Sequence, residues 1–315
     1  MSLFFNTMKV VDRLEDFEKP GFAVVTIGTF DGVHIGHQTI LKRLVEEARA
    51  NNGKSVLITF WPHPRFILNK DADKLKLLTT FDEKVEMVND LGVDYILKIA
   101  FTPQFSNLSA DEFVRNVLVE YVGTKQLLIG YDHHFGNNRE GNIKFLQEHS
   151  SKYGFKVNEI SKQEIDHIGI SSTEIRNALE SREIHLANSL LGRNYSIQGK
   201  IIDGNKKGKS LGFPTANIQV HEAYKLLPAD GAYAIKAFLK GEEFDGMLNI
   251  GFKPTVDGRE RTIEAHLFNF DENIYGMEMK VEFVKALRKE MKFSSIEALK
   301  EQLNKDKELA LSFLK

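Results

Sequence analysis

The sequence predicts an α/β protein in two parts: a doubly wound parallel sheet, then an antiparallel barrel or sandwich with a helix at its end. Three observations predict it. From residue 22 to about residue 186, β-branched runs alternate with stretches of helical apolar spacing. From 195 to 284, short strands of alternating polarity are separated by Gly, Pro, Asp and Asn. Residues 294–314 return to helical periodicity. A chain of 315 residues has room for two ordinary domains, expected at 1–186 and 187–315.

In order along the chain, "FAVVTIGTF" (22–30), "SVLITF" (55–60), "YILKIAF" (95–101) and "QLLIGY" (126–131) read as buried strands. Residues 37–50, 82–91, 109–121 and 142–153 read as the helices between them. Such βαβ units bind ligands at the carboxyl ends of their strands. Residues 28–37, 61–65 and 130–141 are therefore expected to gather there. "ESREIHLANSLLGR" (180–193) reads as a linking helix, and six strands follow between 195 and 284.

Composition removes several classes of function. A formal net charge of −2 argues against a broad nucleic-acid footprint. With no cysteine there is no disulfide framework, no thiolate nucleophile and no cysteine-type zinc site. "MSLFFNTMKVVDRLEDFEKPG" lacks the basic stretch and apolar core of a leader, and no run approaches a membrane span. The expectation is a cytoplasmic protein with no membrane partner, and a homo-oligomer is left open.

"GTFDGVHIGH" (28–37) joins a strand to a helix through glycines that let backbone approach a ligand. His34 and His37, three apart, face the same way. A helix N-terminus offers unpaired N–H groups and a positive dipole end, which suit phosphate. Spacing alone leaves a chance pair, an anion site and a metal site open, and no third ligand stands nearby for a metal. In "ISSTEIRNALE" (170–180), Ser171 with Glu174 makes a capping box and Ile170 with Ile175 a staple. Ser172, Thr173 and Arg176 add more than capping requires, and Arg suits forked recognition of phosphate oxygens.

These two motifs resemble the paired signatures of the nucleotidyltransferase superfamily. With "TFWPHPR" (59–65) and "GYDHHFG" (130–136), the first half is similar to the N-terminal module of prokaryotic bifunctional FAD synthetases. That resemblance implies a Rossmann-like fold and ATP:FMN adenylyltransfer. It implies ATP-binding roles for Gly28, Phe30, Asp31, His34, His37, Ser171, Thr173 and Arg176, with the two histidines counted as catalytic. Pro62, Pro64, Asp132 and Asn142 would lie against the flavin. His133 stands where the family usually has an aromatic residue.

"GNKKGKSLGFPTAN" (204–217) has the look of a P-loop but is not one. The first glycine of that pattern falls on Asp203, and Pro214 blocks a helix directly after the lysine. A loop rich in Gly and Lys can still cradle phosphate, although Lys206, Lys207 and Lys209 also read as solvated charge. Thr215 and Asn217 share one face of a strand, a hydroxyl and an amide oxygen that suit Mg²⁺. In "TIEAHLFNF" (262–270), Ile263, Ala265 and Leu267 would face inward and Glu264 and His266 outward.

The order of "GKSLGFPTAN", "LPADGAYA", "NIGFKPTV", "IEAHLFNF" and "LRKEMKF" resembles the riboflavin kinase domain across 187–315. By that resemblance the second half is an antiparallel β-barrel. Gly208, Lys209, Thr215 and Asn217 bind ATP with Mg²⁺, and Glu264 is the catalytic base. Arg288, Glu290 and Phe293 lie near the flavin. The whole chain then uses riboflavin, FMN and ATP and releases FAD. Two rival readings stand beside it: a flavin-binding regulatory protein that retains only one of the two activities, and a nucleotidyltransferase for another small substrate. The second rival leaves the kinase-like half without a purpose.

Overall fold

The computed structural model describes residues 8–68, 75–130, 133–160, 170–204, 212–255 and 258–314. The chain divides into two compact units, residues 1–171 and 172–315.

The first unit is built on a six-stranded parallel sheet of order β1-β4-β3-β2-β5-β6. Its strands are β1 (Lys9–Val11), β2 (Ala23–Ile27), β3 (Lys54–Trp61), β4 (Tyr95–Ala100), β5 (Thr124–Gly130) and β6 (Lys156–Ile160). All five neighbouring pairs run parallel. Alternate residues of the central strands feed two separate cores, Val25 and Ile58 on one face and Val24 and Leu57 on the other. That is why these strands are apolar on both faces. The strand order reverses between β2 and β5, so the carboxyl ends of β3, β2 and β5 lie side by side.

Sequence spacing anticipates β3, β4, β5 and the helices Ile35–Ala50, Phe81–Asp90 and Ile143–Tyr153 within two residues, whereas the run read as a strand over 22–30 leaves the sheet after Ile27. It misses β1 and β6. Both are edge strands with mostly exposed or half-buried side chains, so neither carries the apolar run that marks a central strand. The helix expected at 109–121 opens as one α-turn, Ala110–Glu112, and continues as a π-helix over Phe113–Tyr121. A short helix, Pro64–Leu68, begins on Pro64, where the missing N–H is harmless.

The second unit opens with two helices, Ser172–Glu180 after the capping motif at 170–180 and Ile184–Leu191 within the linking segment 180–193. Between them Arg182 takes a left-handed φ of 65°. A closed antiparallel barrel of order β10-β11-β8-β7-β12-β9 follows, which decides barrel over sandwich. Its strands are β7 (Tyr195–Ile202), β8 (Ala216–Val220), β9 (Gly231–Leu239), β10 (Glu242–Thr255), β11 (Gly258–Leu267) and β12 (Glu278–Lys289). Tyr233 and Phe283 meet edge to face inside at 5.2 Å and are fully buried. The helix Ile296–Phe313 packs Ala310 over Phe213, Met247 and Phe268. Among the described residues no helix is long and apolar enough to cross a membrane.

Candidate active sites

In the first unit, β2 ends at Ile27 and its chain turns through residues 28–34 into the helix Ile35–Ala50. Phe30, Gly32 and Val33 take left-handed φ values of 47°, 86° and 38°. His34 is the N-cap: its Nδ1 accepts from the His37 amide at 3.4 Å, so the neutral ring carries its proton on Nε2. The two imidazoles stack with centroids 3.6 Å apart, and Phe30 leans on His37 at 4.8 Å. The sequence motif is thus a real pair of rings at a helix N-terminus, where amides and dipole favour an anion.

Asp31 is buried. Its carboxylate accepts from the Leu78 amide at 2.9 Å and the Thr79 amide at 3.2 Å, while the Gly32 amide donates to Thr79 Oγ1 at 3.1 Å. This clip fastens the turn to the residues just before the helix Phe81–Asp90. That helix carries Lys84, 4% exposed, whose ammonium donates to the Thr29 carbonyl at 2.7 Å. Burial pushes the Lys84 ammonium down to about 8, against the opposing pull of Asp31. Sequence reasoning did not single out Lys84. The signal was present, a lysine in helical register with Phe81 and Val88 on the face that turns to the core.

Of the other residues expected around FMN and ATP, Pro62 follows Trp61 in a cis peptide and Pro64 opens its short helix. Asn142 caps the helix Ile143–Tyr153, its Oδ1 accepting from the Phe145 amide at 3.0 Å. Ser171 closes the first unit. Thr173 and Arg176 lie on the helix Ser172–Glu180, whose Ile175 is buried. Asp132 lies outside the described residues, as do Gly208 and Lys209.

In the barrel, antiparallel register sets Glu264 of β11 opposite Asn217 of β8. Thr215 Oγ1 donates to Glu264 Oε2 at 3.5 Å. A hydroxyl just before β8 and a carboxylate on β11 thereby meet from segments far apart in sequence, with Asn217 opposite that carboxylate in register. A cavity of about 230 Å³ opens beside them, and Thr215, Glu264, Arg288, Glu290 and Phe293 all line it. Two register shifts in β12, at Phe283/Lys285 and Ala286/Arg288, bend the strand just before this segment. His266 also lines the cavity. It faces away from the barrel interior, yet it is buried, with Nδ1 donating to the Pro214 carbonyl at 2.8 Å. Burial holds its pKa below the usual imidazole value.

A second residue missed in the sequence is Asp306, 3% exposed on the helix Ile296–Phe313. Its carboxylate takes Arg288 in a forked grip, with Nε at 3.0 and 3.1 Å and the second guanidinium nitrogen at 2.8 Å. Gln302 donates to it at 2.8 Å. Asp306 stands in helical register with Leu299, Leu303 and Ala310, an acid in an apolar stripe, which is the readable mark of a buried partner.

Comparison with known proteins agrees with both halves. A family model described as FAD synthetase matches residues 16–174, and one described as riboflavin kinase matches 191–314. A bifunctional riboflavin kinase/FMN adenylyltransferase of Buchnera aphidicola is 41% identical, over 97% of this chain and 99% of its own length. That of Escherichia coli K12 is 36% identical over 92% of each. A crystal structure described as a macrolide-efflux protein from Streptococcus pneumoniae superposes with a TM-score of 0.87 at 28% identity, covering 96% of this chain and 98% of that one. A protein retaining only one of the two activities is not favoured by a chain that matches both models.

Proposed function

The chain belongs to the family of bifunctional riboflavin kinase/FMN adenylyltransferases, converting riboflavin to FMN and FMN to FAD with ATP, and from that premise we propose how its residues divide the work. The adenylyltransferase portion ends and the kinase portion begins near residues 186–187.

In the kinase half, Glu264 accepts the proton of the riboflavin 5′-hydroxyl as that oxygen attacks the γ-phosphorus and ADP departs. The observation that carries this reading is the contact of Glu264 with Thr215 in a cavity that Arg288, Glu290 and Phe293 also line, with Asn217 opposite Glu264 in strand register. Arg288, with its charge fixed by Asp306, and Phe293 hold the flavin. Gly208 and Lys209 take ATP phosphates on their motif alone.

The Thr215 hydroxyl and the Asn217 amide are hard oxygen donors that fit Mg²⁺. Among the described residues no cluster of three acids or histidines offers a self-sufficient cage, so the ion would draw on phosphate oxygens as well. Bound there, Mg²⁺ would offset phosphate charge.

In the adenylyltransferase half, an FMN phosphate oxygen attacks the α-phosphorus of ATP and the bond to pyrophosphate breaks. No strong base is needed, because the nucleophile is already an anion. The His34 and His37 rings and the amides of their helix bind the phosphate oxygens and meet the charge that develops on them. Ser171, Thr173 and Arg176 are assigned to ATP phosphates on their motif alone, and Gly28, Phe30 and Asp31 shape the turn. Pro62, Pro64, Asp132 and Asn142 are assigned to the flavin side. The near-neutral charge supports small-molecule partners rather than nucleic acid. The cysteine-free composition and the need for ATP support the cytoplasm.

Product analysis of single variants tests this division. Glu264→Ala abolishes FMN formation and spares conversion of supplied FMN to FAD. His37→Ala does the reverse. Loss of both activities in either variant contradicts separate catalytic groups.

A further inference from the structure

The 28–34 turn is held in an unfavourable backbone shape. Phe30 and Val33 are non-glycine residues with φ of 47° and 38°. Such conformations cost on the order of 1–2 kcal/mol each and persist only where surrounding structure over-determines them. Two fasteners do so, and both come from one segment. Asp31 is clipped to the amides of Leu78 and Thr79, and Thr29 is held through its carbonyl by Lys84 at 2.7 Å. That segment is itself braced by a capping box, with the Thr80 amide donating to Glu83 at 2.8 Å and the Glu83 amide to Thr80 at 3.1 Å. The clamp therefore grips the turn at Thr29 and Asp31, either side of Phe30 and three residues before His34.

We propose that Lys84 is a positioning residue for adenylyl transfer: its ammonium, closing on the Thr29 carbonyl, completes the clamp that sets His34 and His37 at the helix N-terminus. The inference rests on the reading that this turn receives the ATP phosphates. A neutral apolar side chain would be the cheaper occupant of a site only 4% exposed. A lysine there does two things that an apolar residue cannot. It makes a charge-assisted bond to the carbonyl, roughly twice as strong as a neutral one. It also puts positive charge beneath the turn, adding to the helix dipole where anionic oxygens are bound. Lys84 does not touch the reacting atoms. It acts through Thr29 and the turn, where a misplacement of about 1 Å costs up to about a hundredfold in rate.

The test uses the full chain and measures both activities in one preparation. Lys84→Met is expected to lower kcat for FAD formation at least about tenfold, with KM for FMN and the riboflavin kinase rate unchanged. Folding of the first unit is read from the fluorescence of Trp61, the single tryptophan. Because the chain has no cysteine, the Lys84→Cys protein can be alkylated at that one position with 2-bromoethylamine in denaturant and refolded. This restores an ammonium of nearly the same reach, and FAD formation is expected to return while the unalkylated control stays low. The pair decides the matter even if Lys84→Met fails to fold. A parental rate in Lys84→Met beside a lost rate in His37→Ala overturns the clamp and leaves the phosphate reading standing. Parental rates in both overturn the two together. Alkylated protein with native Trp61 fluorescence and a recovered kinase rate, but no recovered FAD formation, also overturns the proposal.

Discussion

Gly32 has φ of 86°, and a Cβ built there would meet Leu78 Cδ1 at 2.7 Å and Cβ at 3.1 Å. Gly32→Ala is therefore strained twice, by conformation and by contact. It should lower the stability of the first unit by about 2 kcal/mol, read as a shifted urea midpoint of Trp61 fluorescence, and should slow FAD formation while leaving the kinase rate alone. Lys84 gives a prediction of opposite form, one of pH. Its folded value of about 8 lies below the ordinary 10.5, so between those values the unfolded chain binds more protons. Stability rises with pH across that window, and about 3 kcal/mol of burial penalty carried below pH 8 is relieved. Urea unfolding of the parent and Lys84→Met from about pH 7.5 to about pH 10 should show the parent gaining on the variant, and a flat difference would contradict a buried ammonium.

At the scale of elements, the helix Ile296–Phe313 is tied to β12 by the Arg288–Asp306 pair, whose side chains are 15% and 4% exposed. Removing one partner leaves the other charge buried and alone. Asp306→Ala should cost about 3 kcal/mol and raise KM for riboflavin, since Arg288 lines the cavity, with adenylyl transfer of supplied FMN unchanged. A chemical-denaturation curve and the two KM values check it. The elements also show what a sequence can reveal. Central strands of a parallel sheet are apolar on both faces, so β3 and β5 were legible from their residues. The edge strands β1 and β6 bury little and were not. The helices Ser172–Glu180 and Ile184–Leu191 were legible as two segments, but not the left-handed Arg182 that parts them, because it is no glycine.

At the scale of the whole molecule, the chemistry is carried by residues of separate motifs, and the intermediate FMN is a stable small molecule. Neither Glu264→Ala nor His37→Ala alone should turn riboflavin into FAD. An equimolar mixture of the two should do so, because FMN released by one is taken up by the other. Chromatography of the flavin products decides this, and a mixture that stops at FMN would mean that free FMN is not accepted.

Taken alone, the residues determined what is local: the strand–helix alternation, the histidine pair at a helix start, the Thr-x-Asn spacing and the ordered motifs that mark both activities. These follow from periodicity and from chemistry within a few residues of one another. Only the tertiary structure decided the strand order, the pairing of Glu264 with Asn217, the grip of Asp306 on Arg288 and the burial of Lys84 against Thr29. Each of these joins positions set by register and packing, and the free energy that selects them comes from surfaces that exist only once the chain has closed on itself.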